Sequence, residues 1–166
     1  MSGKIIAIAA LGLALCGASH AEDWLHYENP RFGATADVPA HGFTADPAPQ
    51  NGDGQSWTSD ADGGTIAVYG ANQVVAEDFA GYRSFVMRSA REDGLKITYE
   101  RHGEGWFVYS GRKSGAIVYE RVESACGGAT IVAIHFSYPS AAQDRWKPIV
   151  QRGASSLEAG ASDACP

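Results

Sequence analysis

The chain has 166 residues, with 13 lysines and arginines against 19 aspartates and glutamates, a formal net charge of −6. That balance excludes a general affinity for nucleic-acid phosphates or for an anionic bilayer, both of which need a surplus of cations. The length suits one domain with a substantial hydrophobic core.

In chain order the first element is a leader. Lys4 supplies a positive start, residues 5–15 are an apolar run, and Ser19-His20-Ala21 places small residues at the two positions a signal peptidase reads. A membrane span needs about 20 apolar residues, and Gly12, Cys16 and Gly17 interrupt this run too early. Residues 1–21 are therefore expected to be a cleaved secretory signal, and residues 22–166 a single exported domain, periplasmic or extracellular, with no stable membrane insertion. The rival is lipidation at Cys16, but Leu15 stands where such sites carry Gly, Ala or Ser. Cleavage after Ala21 leaves 145 residues and removes Lys4, so the mature chain carries a formal charge of −7.

Strand signals follow in two clusters. Residues 32–38 alternate apolar with small or polar side chains, residues 55–59 are a short candidate, and residues 65–69 are a clear one. Between the first two, residues 37–54 hold three prolines and three glycines and predict a long surface loop. Residues 95–101, 106–110, 116–122 and 130–138 then predict an antiparallel meander, joined by turns at Gly103-Glu104-Gly105, residues 111–115 and Cys126-Gly127-Gly128.

Helical spacing appears twice. From about 76 to 92, Phe79, Tyr82, Val86 and Ala90 share a face, with Glu77 and Asp78 at the favourable end of the dipole and Gly94 at the stop. After Tyr138, the residues Trp146, Ile149, Val150, Gly153 and Leu157 repeat at helical spacing, and Ser140 with Gln143 predicts a capping box. Two apolar stripes need a sheet to cover, so the expected fold is α+β: an antiparallel meander flanked by two main helices. From about residue 158 the tail is small and polar and is expected to be mobile unless Cys165 anchors it.

Cys126 and Cys165 are the cysteines left after cleavage, and neither has a second cysteine or a histidine at metal-ligand spacing. In an oxidising compartment a bridge between them is expected, with two free thiols as the alternative. Closing a loop of about 40 residues is worth roughly 4 kcal/mol in the chain-entropy model.

Tyr27-Glu28-Asn29-Pro30-Arg31-Phe32-Gly33 leads through a strand to Pro39, and is followed by an Asn51-Gly52-Asp53-Gly54 turn, a strand ending Val68-Tyr69-Gly70, and a Tyr138-Pro139 step. With the order of elements, this resembles the PsbP-like α/β/α sandwich and a group of bacterial secreted proteins that share the opener. A departure is that Ala34 and Thr35, rather than an aromatic residue, follow Gly33. The resemblance implies a fold used in binding and accessory roles, with no shared catalytic site and no cofactor to carry over.

Candidate chemistry is sparse. Asn51, Asp53, Gln55, Ser59 and Asp62 approach calcium-loop spacing, but Ser56 stands where the loop needs Gly and Asp62 where a bidentate Glu is usual, so a turn is expected. Ser110 and Lys113 have the spacing of a Ser–Lys pair but are expected to straddle a hairpin turn rather than share a helix face. His26, His41, His102 and His135 form no metal-ligand pair, and His135 is expected at the rim of a strand face shared with Ile131, Ala133 and Ser137. The meander carries Trp106, Phe107, Tyr109, Tyr119, Phe136 and Tyr138 near Arg101, Arg112 and Arg121. Aligned across strands, some of these would make an aromatic and cationic surface, and Arg101, Tyr109 and Arg121 are the candidate ligand-binding residues. The expected function is a non-enzymatic exported binding or accessory domain for a protein, peptide or glycan; the alternative is a small hydrolase with a dispersed Ser/His/Asp site.

Overall fold

The computed structural model describes residues 23–161 and residue 165, so the leader lies outside the described residues. Strands β1 (Trp24–Glu28) and β2 (Ala34–Pro39) form a hairpin, and β3 (Phe43–Ala45), β4 (Gly54–Ser59) and β5 (Thr65–Asn72) follow. Helix α1 (Phe79–Glu92) leads into the meander of β6 (Lys96–Gly103), β7 (Trp106–Lys113), β8 (Ala116–Ala125) and β9 (Thr130–Pro139). Helix α2 (Gln143–Ser155) and a short β10 (Glu158–Ala159) close the chain. A seven-stranded sheet runs β3-β4-β5-β9-β8-β7-β6 and a three-stranded sheet runs β1-β2-β10, with every pairing antiparallel. The fold is the expected α+β class, two helices on a large antiparallel sheet.

Strand β9 sits at the centre of the large sheet and is apolar on both faces. Val132, Ile134, Phe136 and Tyr138 enter the larger core with Ala34, Ala36 and Val38 of β2 and Trp146, Ile149 and Val150 of α2. Ile131 and Ala133 face the other way, into a smaller core with Phe107, Tyr109, Val122 and Met87 of α1. Those odd and even positions separate because successive strand side chains point to opposite faces. Phe32 ahead of β2 is buried against β5 at Gly70, where any β-carbon would lie 2.2 Å from the Phe32 ring stem. The small Ala34 and Ala36 of β2 are fully buried in the core that β2 shares with the large sheet.

Four local expectations are corrected. The predicted 37–54 loop contains β3, paired with β4 at Phe43 and Ser59, because Phe43 stacks edge-on against Trp146 and gains burial there. The capping box does not form: Ser140–Ala142 is a 3₁₀ turn and α2 starts at Gln143 with no side-chain cap. Ser140 gives its backbone N–H to Gly115 of the neighbouring hairpin at 2.9 Å, which ties it into that turn and moves the helix start onward. Strand β7 runs to Lys113, so the β7–β8 turn is only Ser114-Gly115, both at positive φ. Last, Glu158–Ala159 is held on β2, and Gly160 donates to the Gly33 carbonyl at 2.7 Å, so the expected looseness of the tail does not begin at 158.

Helix α1 starts after Asp78, whose side chain accepts the Gly81 N–H at 2.7 Å. That satisfies one of the unpaired donors of the first turn. Cys126 and Cys165 are joined by a disulfide, with Cα atoms 5.1 Å apart, linking the β8–β9 turn to the tail.

Candidate functional site

The register of β6, β7 and β8 aligns cationic side chains on one sheet face, beside the α2 core and around a buried Val108. Arg101 pairs with Val108, and Val108 with Arg121, so the two arginines lie on one face two strands apart. At a strand spacing near 4.8 Å this separates their Cα atoms by roughly 10 Å. One row along, Tyr99, Ser110 and Tyr119 align; Gly103, Trp106 and Glu123 make the row on the other side, and Lys96 with Arg112 adds a further one. Tyr99 is 46% exposed, Arg101 and Arg112 are exposed, and Tyr119 touches the edge of the α2 core through Phe136.

Here Arg121 is fixed on both sides. Its guanidinium carbon sits 5.1 Å from the Trp106 ring centroid, and Nη2 donates to Glu123 at 2.6 Å. Glu123 is the acidic side chain that the register places on this face, in the Trp106 row beside Arg121, with Lys96 and Arg112 at the opposite end. A net cationic patch therefore stands on a chain of charge −6.

Tyr109, the third candidate ligand residue, is separated from the two arginines. It follows Val108 in β7, so alternation sends it to the opposite face and into the core beneath α1. There it joins a second constellation. Glu120 of β8 is only 6% exposed, and its carboxylate accepts hydrogen bonds from the hydroxyls of Tyr69 on β5 and Tyr109 on β7. His135 of β9 lies directly across from Glu120 in the register, with Nδ1 3.5 Å from the carboxylate and its side chain 33% exposed. Burial opposes the Glu120 charge, but the hydrogen bond and charge of His135, followed by the hydroxyls of Tyr109 and Tyr69, outweigh it and hold the carboxyl below its ordinary range. Burial and the nearby carboxylate push the tyrosines up, Tyr82 of α1 to about 12 and Tyr69 and Tyr109 well above their ordinary value.

Sequence reasoning placed His135 correctly on the face of Ile131 and Ala133 but passed over Glu120. A signal was present: in β8, Glu120 occupies an alternate position between Val118 and Val122, where the period demands an apolar residue.

Other polar sites serve the architecture. Asp53 pairs with Arg31 at 2.7 Å, and Asp62 accepts from Arg145 and from Trp146 Nε1, so the acidic turn spends its carboxylates on arginines and an indole. Ser110 and Lys113 both lie on β7 but on opposite faces, and Ser110 donates to the Val118 carbonyl at 2.8 Å. His26 Nδ1 approaches Asp37 at 2.9 Å, an arrangement that a Ser/His/Asp site would require, yet Asp37 also pairs with Arg152 at 2.6 Å. Ser156 beside them accepts the Asp37 N–H and donates to the Gly153 carbonyl. Among the described residues no serine hydroxyl is hydrogen-bonded to a histidine ring.

No family model and no curated protein matches this chain. Solved structures do. The solution structure of cyanobacterial PsbP from Synechocystis sp. PCC 6803 superposes with a TM-score of 0.60 at 14% identity, covering 89% of this chain and 98% of that one. The Ran-binding protein Mog1p of Saccharomyces cerevisiae superposes with a TM-score of 0.58 at 13% identity, covering 84% and 96%. A point variant of Mog1 gives 0.61 at 12% identity, covering 87% and 100%. The chain therefore has the PsbP-like fold, as its opener and element order implied.

Proposed function

We propose that this protein is an exported, non-enzymatic binding domain that recognises an acidic segment of a protein partner on the face of β6, β7 and β8 that carries Arg101 and Arg121. The observation that carries the reading is the alignment of Lys96, Arg101, Arg112 and Arg121 with Tyr99, Trp106 and Tyr119 on one sheet face. Planar guanidiniums bind carboxylates through paired N–H donors, and exposed rings supply apolar area at small entropic cost. Mog1p, which shares the fold, is a Ran-binding protein, so this architecture has served protein recognition elsewhere. Export is supported by the leader pattern of residues 1–21.

An immobilised peptide rich in aspartate and glutamate, with one aromatic residue, is the direct probe. Binding should weaken with salt, and Arg101→Glu with Arg112→Glu, both exposed, should reduce affinity by at least about tenfold while the unfolding midpoint holds. Equal binding by the folded double variant would sink the assignment of this face.

A further inference from the structure

Between α1 and the large sheet lies a cleft of about 190 Å³, lined by Tyr82, Phe85 and Ser89 of α1 together with Tyr69, Tyr109 and the Glu120 carboxylate. It is on the opposite face of the sheet from the arginine surface, and its chemistry is the reverse: anionic, aromatic and partly enclosed.

An ionised carboxylate out of water costs several kcal/mol unless it is compensated by charge as well as by hydrogen bonds. Glu120 has two phenol donors and an imidazole that is charged only when protonated. No lysine or arginine forms an ion pair with it among the described residues. The groups facing it are Tyr69 from β5, Tyr109 from β7, His135 from β9 and Tyr82 from α1, with Asp93 at the exposed end of α1 adding a second negative charge to the lining. A carboxylate offers about four acceptor sites, and Tyr69, Tyr109 and His135 take three. Glu120 lines the cleft, whose walls carry the rings of Tyr69, Tyr82, Phe85 and Tyr109.

We propose that this cleft binds a small alkylammonium ion, its charged head on Glu120 and its carbon groups between the rings of Tyr69, Tyr82 and Tyr109. Tyrosine faces attract organic cations, and more strongly when water is excluded. The space equals about six water molecules at ~30 Å³ each, which limits the ligand to a cation of similar size and favours a free amine over a folded polypeptide segment.

Titration of n-butylammonium into the protein, followed by NMR of the tyrosine and histidine rings, tests this with n-butanol as the neutral isostere. Saturable shifts at Tyr69, Tyr82, Tyr109 and His135 are expected, with the alcohol at least about tenfold weaker, the difference a salt-linked cation contact supplies. Glu120→Gln should remove the preference for the amine. Because that variant alters a buried network, Ser89→Leu provides the second arm: it fills the cleft from the helix side, leaves every member of the network in place, and should abolish the shifts in a folded protein. Equal affinity for amine and alcohol, amine binding unchanged in folded Ser89→Leu, or no saturable shift at millimolar amine would each overturn the proposal.

Discussion

At Glu120 the competing terms are large and close. Burial works against the charge, while two tyrosine hydroxyls and His135 stabilise it, and the carboxyl ends below its ordinary value of 4.5. Asp37 and Asp62 are depressed below 3.8 in the same way; for both, burial is the opposing term, overcome at Asp37 by His26 and Arg152 and at Asp62 by Trp146, Gly64, Ser59 and Arg145. A carboxyl lowered on folding stabilises the native state fully above its unfolded pKa, and that contribution is lost as pH falls through the folded one. The tyrosines run the other way: Tyr82 is raised to about 12 from 10.0, so its contribution is complete below 10.0 and vanishes as pH climbs through the folded value. Thermal midpoints should therefore be level between roughly pH 5 and 9 and fall on either side. Glu120→Gln should lower stability at neutral pH by about 1–3 kcal/mol by weakening its bonds to two buried hydroxyls, and should flatten the acid limb. An acid limb unchanged in that variant would show that Asp37 and Asp62 carry it. The sequence hinted at this network through the misplaced charge in β8, but the partners Tyr69, Tyr109 and His135 lie on three other strands, and only register brings them together.

Elements follow their patterns where neighbours agree and depart where a neighbour intervenes. The meander and both helices were legible because their periodicity matches the two cores they fill, and Asp78 caps α1 at the position its local sequence favours. Strands β1, β3 and β10 were not legible. Each is short, and its strand character comes from pairing with a partner strand, the next one in the chain for β1 and β3 and a distant one for β10, where Glu158 meets Thr35. Gly153 shows the same competition inside α2. Alanine there would gain about 1 kcal/mol of helix propensity over glycine. Its β-carbon, however, would sit 2.8 Å from the buried Phe136 ring and 3.1 Å from Ile134 Cδ1, with the Asp37 carbonyl at 3.3 Å. Overpacking of that kind costs about 1–3 kcal/mol, so Gly153→Ala should be destabilising on balance in a denaturant titration. A stabilised variant would mean that β9 and α2 can separate by a few tenths of an ångström without loss.

For the molecule as a whole, the two faces of the large sheet are secured differently. Beneath α1, a single helix covers a small core that surrounds the Glu120 network. On the other face, α2 and the three-stranded sheet share a larger core, and the chain end is tied back twice, by β10 on β2 and by the Cys126–Cys165 bridge. These ties act on different states. The backbone bond from Gly160 to Gly33 exists only in the folded protein, whereas a bridge across a sequence separation of 39 restricts chiefly the unfolded chain. Replacing both cysteines by serine should therefore lower global stability by about 2–4 kcal/mol, a fall on the order of 10 °C in midpoint for a domain of this size. Protection of the Gly160 amide against local exchange should survive, because the β10 pairing does not depend on closing the loop. The measurement is native-state hydrogen exchange on the oxidised protein and the double variant under identical conditions. Loss of Gly160 protection with little change in midpoint would reverse the assignment, making the bridge a clamp on the folded tail rather than a constraint on the unfolded chain.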